Sequence, residues 1–458
     1  MRLREIVIGV KLGALLPVAA QAHVSEQGFV LLLPTEVYTA AGVAAVTLTV
    51  LALFALPGGA VRGLFAHRRL APLRFERAQQ VSSVFSLICL LFVLYLGFTG
   101  PRDPLSNLMP LGFWTLGWVA AVSLSGVFGN LWHWINPWTG LYHLLGPLRP
   151  LSPLPERLGL WPAVALLLGY AAFLLADIAP DDPARLARFV AIYWVVTFAG
   201  MILCGPRWQH HAELGHAIFA AFASLAPLRL TGRAGLGGPG WRLLADTPAP
   251  AAGVFALTLL AVGSFDGLNG TFWWLGWIGV NPLEFPGRSA VVVQTLTGLA
   301  LAFGALLGVF ALAVWLGMRL ARAEVRFAHA FGWLALSLLP IALVYHIAHY
   351  LTAFLVQIQY TVAALSDPFA RGADWLGIEP FRVTTGFFNS IDTVRLIWTT
   401  QAGLVVLGHV WSVLLSHRIA LRLFGEGRRA AMGTLPLSIF MIAYTMLGLW
   451  LLAAPKGA

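Results

Sequence analysis

The chain has 458 residues, 59% of them hydrophobic and only 10% charged, with a mean hydropathy of +0.80. Those values exclude a soluble globular domain and mark an integral membrane protein. The net charge of +10 is scattered between apolar runs instead of gathered on one polar domain, so it reads as a topology signal and no nucleic-acid partner is expected. Two cysteines, Cys89 and Cys204, lie in or beside different apolar segments, which leaves no disulfide framework and no thiolate metal cluster.

The first residues, MRLREIVIGVKLGALLPVAAQAHVSEQG, have a basic start, an apolar middle and a small-x-small end at Ala20-Gln21-Ala22. This is the pattern of a cleaved secretory signal over residues 1–22, and cleavage would leave His23, with a free amine and an imidazole, as the first mature residue. An uncleaved first helix is the alternative, because Lys11 interrupts the apolar stretch. Residues 23–458 then form one transmembrane helical domain of class all-α.

A crossing helix needs about 20 apolar residues. Ten segments qualify, at roughly 37–57, 81–99, 110–131, 158–177, 188–204, 251–267, 289–317, 331–356, 396–417 and 432–453. With mature residue 23 outside, the larger share of the 29 Lys and Arg falls in inner loops, as the positive-inside rule requires. The expected location is a bacterial inner membrane, with the mature N-terminus and the C-terminus both periplasmic.

Along the chain, FGNLWHWINPWTGLYHLLGP (128–147) places Trp132, Trp134, Trp138 and Tyr142 at an inner boundary. It reads as an interfacial aromatic belt, with a structured turn at Asn130, His133, Asn136 and Pro137 as the alternative. HHAELGH supplies His210, His211, Glu213 and His216, yet it is not the HExxH zinc motif, and the stretch after it reads as an interfacial helix. GGPG at 237–240 is a flexible connection and not a phosphate loop, since no Lys-Ser/Thr follows it.

The strongest chemical signal is IALVYHIAHYLTAF (341–354). His346 and His349 stand at i and i+3 on one face of an apolar helix, in its outer half. Imidazole gains nothing from hydrocarbon, so each ring needs a partner or a task. Two neutral imidazoles suit zinc, copper or iron. Asp266 in GSFDGLNGTFWW falls on the same outer side and completes a candidate set, with His23 or Asp103 in reach and Asp392 at a comparable level. Asp266 would complete the metal shell or act as general base. Taken singly, the acids read as caps or turn residues. His409 on the next segment offers a second option, a b-type haem held between it and a histidine of the pair, although their depths differ. Gln401 and Arg395 on that segment could line a polar path.

The stretches VFGNLWHWINPW, SFDGLNGTFWW, PIALVYHIAHYLTAF and QAGLVVLGHVWSVLLSHRIAL, with the Ala22-His23 pair, resemble the polytopic bacterial membrane proteins labelled fenitrothion hydrolase. The resemblance spans nearly the whole chain. It implies an inner-membrane hydrolase of organophosphate triesters acting on an apolar small molecule that arrives through the lipid. The residues themselves leave two other classes open, a copper- or haem-binding redox or metal-handling subunit with partner subunits, and a small-molecule transporter.

Overall fold

The computed structural model describes residues 30–55, 58–146, 149–230, 234–284, 286–378, 381–425 and 427–456. The expected signal sequence and His23 lie outside them. The protein is an all-α polytopic helix bundle. Among the described residues, nine helices are long and apolar enough to cross a membrane. They are α1 (Thr35–Ala55), α2 (Glu76–Thr99), α3 (Leu108–Phe128), α5 (Pro183–Cys204), α7 (Ala252–Asn269), α8 (Val292–Ala321), the joined pair α9 (Phe327–Leu336) and α10 (Leu339–Ser366), α11 (Ile391–Leu423) and α12 (Arg428–Ala453). The tenth expected segment forms α4 (Trp161–Ala176), an apolar helix of 16 residues. Between α5 and α7 lies α6 (Leu214–Ala223), too short to cross.

Three spans form the centre. α7, α9–α10 and α11 bury most of their apolar stretch inside the protein, whereas α1, α2 and α8 bury little of theirs. The outer helices turn apolar side chains such as Phe85, Ile88 and Tyr95 of α2 outward, as lipid-facing helices must. Where α8 meets α12 the backbones nearly touch. A Cβ on Gly317 would land on the carbonyl oxygen of Gly433, so glycine is required there.

α9 and α10 are separated at Ser337 and Leu338, because Pro340 in the first turn of α10 has no N–H to continue the ladder. Beyond residue 356, where the apolar pattern stops, α10 continues through Gln357, Gln359 and Thr361 to Ser366. His346 and His349 therefore sit near the middle of the 40-residue span Phe327–Ser366, with His349 just on the C-terminal side of its midpoint. α3 is unusual in another way. Its residues Leu111–Ala121 form a π-helix, a wider coil that re-aims backbone groups and recurs at functional sites.

Both ends of the described chain meet at one end of the bundle. Leu33 packs in one cluster with Trp398, Leu449 and Leu451, and Lys456 forms a β-bridge with Thr271 just beyond α7. The opposite end carries the arginine-rich connections and a three-stranded antiparallel sheet of order β1-β3-β2, made of β1 (His67–Arg69), β2 (Leu228–Arg229) and β3 (Gly235–Gly237).

Candidate functional site

The site forms where α3, α7 and α10 converge. On α10, Tyr345 and His349 are four residues apart, as are His346 and Tyr350, so each pair shares a helix face. The rings of Tyr345 and His349 lie nearly parallel at 5.7 Å, and those of His346 and Tyr350 are 5.0 Å apart. Across from them Asp266, one turn before the end of α7, receives two partners on the same oxygen. His349 Nε2 lies 3.1 Å from Asp266 Oδ2, and the Tyr350 hydroxyl donates to that oxygen at 2.5 Å. Both side chains of the Asp266–His349 pair are largely buried, at 18% and 11% exposure. A carboxylate at this depth is tolerable only when it is hydrogen-bonded and paired.

His346 has a different task. Its Nε2 lies 2.9 Å from the carbonyl oxygen of Trp118, in the π-helical part of α3. A carbonyl only accepts, so Nε2–H donates and Nδ1 is left as the acceptor. The Trp118 ring meets the His346 ring edge-on at 4.9 Å. Beside these groups is a cavity of about 30 Å³, walled by Trp118, Phe222, Asp266, Tyr345, His346 and His349. That is room for a water or a small ion.

Of the expected site residues, Asp266, His346 and His349 are thus brought to one cavity. Asp103 is not. It accepts from Leu105 N and Ser106 Oγ in an exposed turn. Asp392 is exposed and pairs with Arg395 one turn along. Gln401 donates to the carbonyl of Ala348 at 2.7 Å, tying α11 to α10. His409 is buried on α11, with Nδ1 2.8 Å from Val405 O in its own helix and its ring toward Tyr444 of α12. Its Nε2 is buried with no hydrogen-bond partner among the described residues.

The donor set also bears on the expected zinc, copper or iron. Among the described residues no three His, Cys, Asp or Glu side chains come together in an arrangement that could hold a metal ion. His346 has one nitrogen committed to Trp118, and Asp266 shares one oxygen between His349 and Tyr350.

Sequence reasoning missed Tyr345, Tyr350 and Trp118. The two tyrosines stood in plain sight beside the histidines, and their i,i+4 spacing was the available signal. The Trp118 carbonyl had none, because backbone direction inside a π-helix is not written in residue type.

At the opposite end, several members of the aromatic stretch are packed into the protein, while Trp132 and Trp134 are half-buried. Trp138 is buried and donates to Trp194 O, and Ser83 donates to Asn136 O. Glu213 caps α6 as an acceptor from the N–H groups of Gly215 and His216, the Trp132 indole and the Tyr193 hydroxyl. Burial pushes its carboxyl above the ordinary range, and these four donors offset part of that. Next to it, His210 Nδ1 lies 3.2 Å from His216 Nε2, with the His133 ring 5.9 Å from that of His216. Burial lowers all three, helped by the neighbouring charges, and His216 falls to about 3.

Fold and site together define a multi-pass, all-helical membrane protein with a buried acid–base pair between its central helices. Compared with protein families, curated proteins and solved structures, the chain matches none.

Proposed function

We propose that this protein handles protons at the Asp266–His349 pair, as a proton-relaying membrane carrier or channel. The observation that carries the reading is the 3.1 Å contact of His349 with a carboxylate that also accepts from Tyr350, beside a cavity the size of a water. Ionisable residues in membrane helices are costly and are kept for relays, pathways and counter-ions. His349 would pass a proton between Asp266 and a water in the cavity, with Tyr350 holding the carboxylate in place. The arginine-rich end would face the cytosol of a bacterial inner membrane, and both ends of the chain the periplasm. The test is purified protein in liposomes with an internal pH dye. Wild type is expected to dissipate an imposed pH gradient, and Asp266→Asn and His349→Ala to lose at least about tenfold of that rate. Flux unchanged in both variants overturns the reading.

A second reading is favoured by the same cavity and by the resemblance to the fenitrothion hydrolase-like proteins. His349, oriented by Asp266, would be the general base that activates a water against an aryl phosphotriester. The cavity is far smaller than the roughly 300–1,000 Å³ of pockets for organic ligands. The ester would have to part α7 from α10 to enter. Membranes releasing nitrophenol from a methyl-parathion-like ester, with loss of release in His349→Ala but not in His417→Ala, a buried histidine in the C-terminal part of α11, would support this reading over the first.

A further inference from the structure

The segment RGLFAHRRLAPLRFER, residues 62–77, joins α1 to α2 at the opposite end of the bundle. The 20 residues between Ala55 and Glu76 include a short helix, Gly58–Leu64, and strand β1, which ties the link back to this end of the bundle. Within it Arg68, Arg69, Arg74 and Arg77 are all exposed. So are Leu64, Leu70 and Leu73, at 43, 37 and 49%. Exposed leucines interleaved with arginines are an odd choice for a loop facing bulk water. They suit a layer with phosphates above and acyl chains below.

The segment is also held rigid. β1 pairs with β3 in the register Arg68↔Leu236, Leu70 N donates to Ala234 O, and Leu73 N donates to Leu230 O. His67 stacks on Trp241 at 4.5 Å and Phe75 packs against Trp134 at 5.4 Å. The strapping adds two more exposed leucines, Leu230 and Leu236, beside the arginines. None of Arg68, Arg69, Arg74 and Arg77 has an ion-pair partner among the described residues.

We propose that this strapped surface is a docking site for anionic phospholipid, with Arg68, Arg69, Arg74 and Arg77 taking the headgroup phosphates and the surrounding leucines meeting the acyl boundary. The charge complementarity selects the ligand. Guanidinium forks match phosphate oxygens, and a preformed strap loses less order on binding than a free loop. A zwitterionic headgroup offers the same phosphate but cancels the field that attracts it. A free phosphate lacks the acyl part that the leucines would cover.

The full chain, purified in detergent, tests this by its unfolding temperature with added phosphatidylglycerol, phosphatidylcholine or glycerol phosphate, at low and high salt. Phosphatidylglycerol is expected to raise the temperature by several degrees, and the shift to shrink at high salt. The other two are expected to give little. The fourfold Arg→Gln variant should bind phosphatidylglycerol at least about tenfold more weakly, and the fourfold Arg→Lys variant should keep most of the shift. If the Arg→Gln variant fails to fold, the wild-type lipid and salt comparison decides alone. An equal response to phosphatidylcholine, an equal response to glycerol phosphate, or a full response in a folded Arg→Gln variant overturns the proposal.

Discussion

His349 Nε2 lies 3.1 Å from Asp266 Oδ2, joining the middle of α10 to the last turn of α7 through two largely buried side chains. The pair couples a base to an acid at the point where those helices approach the π-helical stretch of α3.

Removing one member of the pair is expected to cost more than neutralising the other. His349→Ala leaves Asp266 with Tyr350 as its remaining side-chain partner and should destabilise by about 2–4 kcal/mol. Asp266→Asn keeps the shape and removes the charge, so it should cost clearly less while still abolishing proton flux. Thermal unfolding in detergent, run beside the liposome assay, checks both. A greater stability loss in Asp266→Asn than in His349→Ala would contradict the pairing.

Among the described residues the Tyr345 hydroxyl is buried without a hydrogen-bond partner, and it lies against Gly267. A Cβ at position 267 would collide with that hydroxyl, and the next atom of the ring is 3.4 Å away, at ordinary contact. Gly267→Ala alone should therefore destabilise by about 1–3 kcal/mol. Tyr345→Phe should be neutral or stabilising by up to about 1 kcal/mol. The double variant Gly267→Ala/Tyr345→Phe should recover most of the loss. Additive unfolding temperatures would refute the contact.

His346 holds α10 to α3 by donating to Trp118 O. His346→Leu leaves that carbonyl without this donor and should cost about 1–3 kcal/mol, while His346→Gln, which keeps an N–H donor, should cost less. In the proton assay His346→Gln should retain flux that Asp266→Asn loses. Equal loss in both would make His346 a member of the relay.

At the arginine-rich end, the fold accepts His216 in its neutral form, with a value of about 3 set first by burial and then by the charges of His210, His133 and His211. The unfolded chain titrates this group near 6.5. Below pH 6.5 the unfolded state takes up a proton that the folded state refuses, so stability falls as pH drops toward about 3, by up to about 1.4 kcal/mol per unit. The raised carboxyl of Glu213 works in the opposite direction, and only as pH falls through its own folded value. Unfolding temperatures at pH 7.5, 6.5 and 5.5 should decline in wild type and decline less in His216→Gln. Parallel profiles would show that His216 does not carry the effect.

Much of the site could be read from residue type. A histidine pair in an apolar helix and an acid on a neighbouring span are conspicuous because hydrocarbon penalises them. Their grouping, without a third ligand from Asp103 or His409, was not readable. Asp103 and Asp392 carry the same residue type as Asp266 and do only local work in exposed turns and helix starts, and exposure is a tertiary property.

By itself the sequence determined that this chain lives in a bilayer, roughly where its helices cross, and which end carries the arginines. Those follow from transfer energies summed along about 20 residues, which need no knowledge of neighbours. Only the tertiary structure decided that His349 meets Asp266 and Tyr350, that His346 is held by the Trp118 carbonyl, and that the space between them admits a water. Side-chain pairing depends on how helices rotate and approach one another, and that is set by packing at small residues such as Gly267, and by the π-helical turn of α3, with no local pattern to announce either.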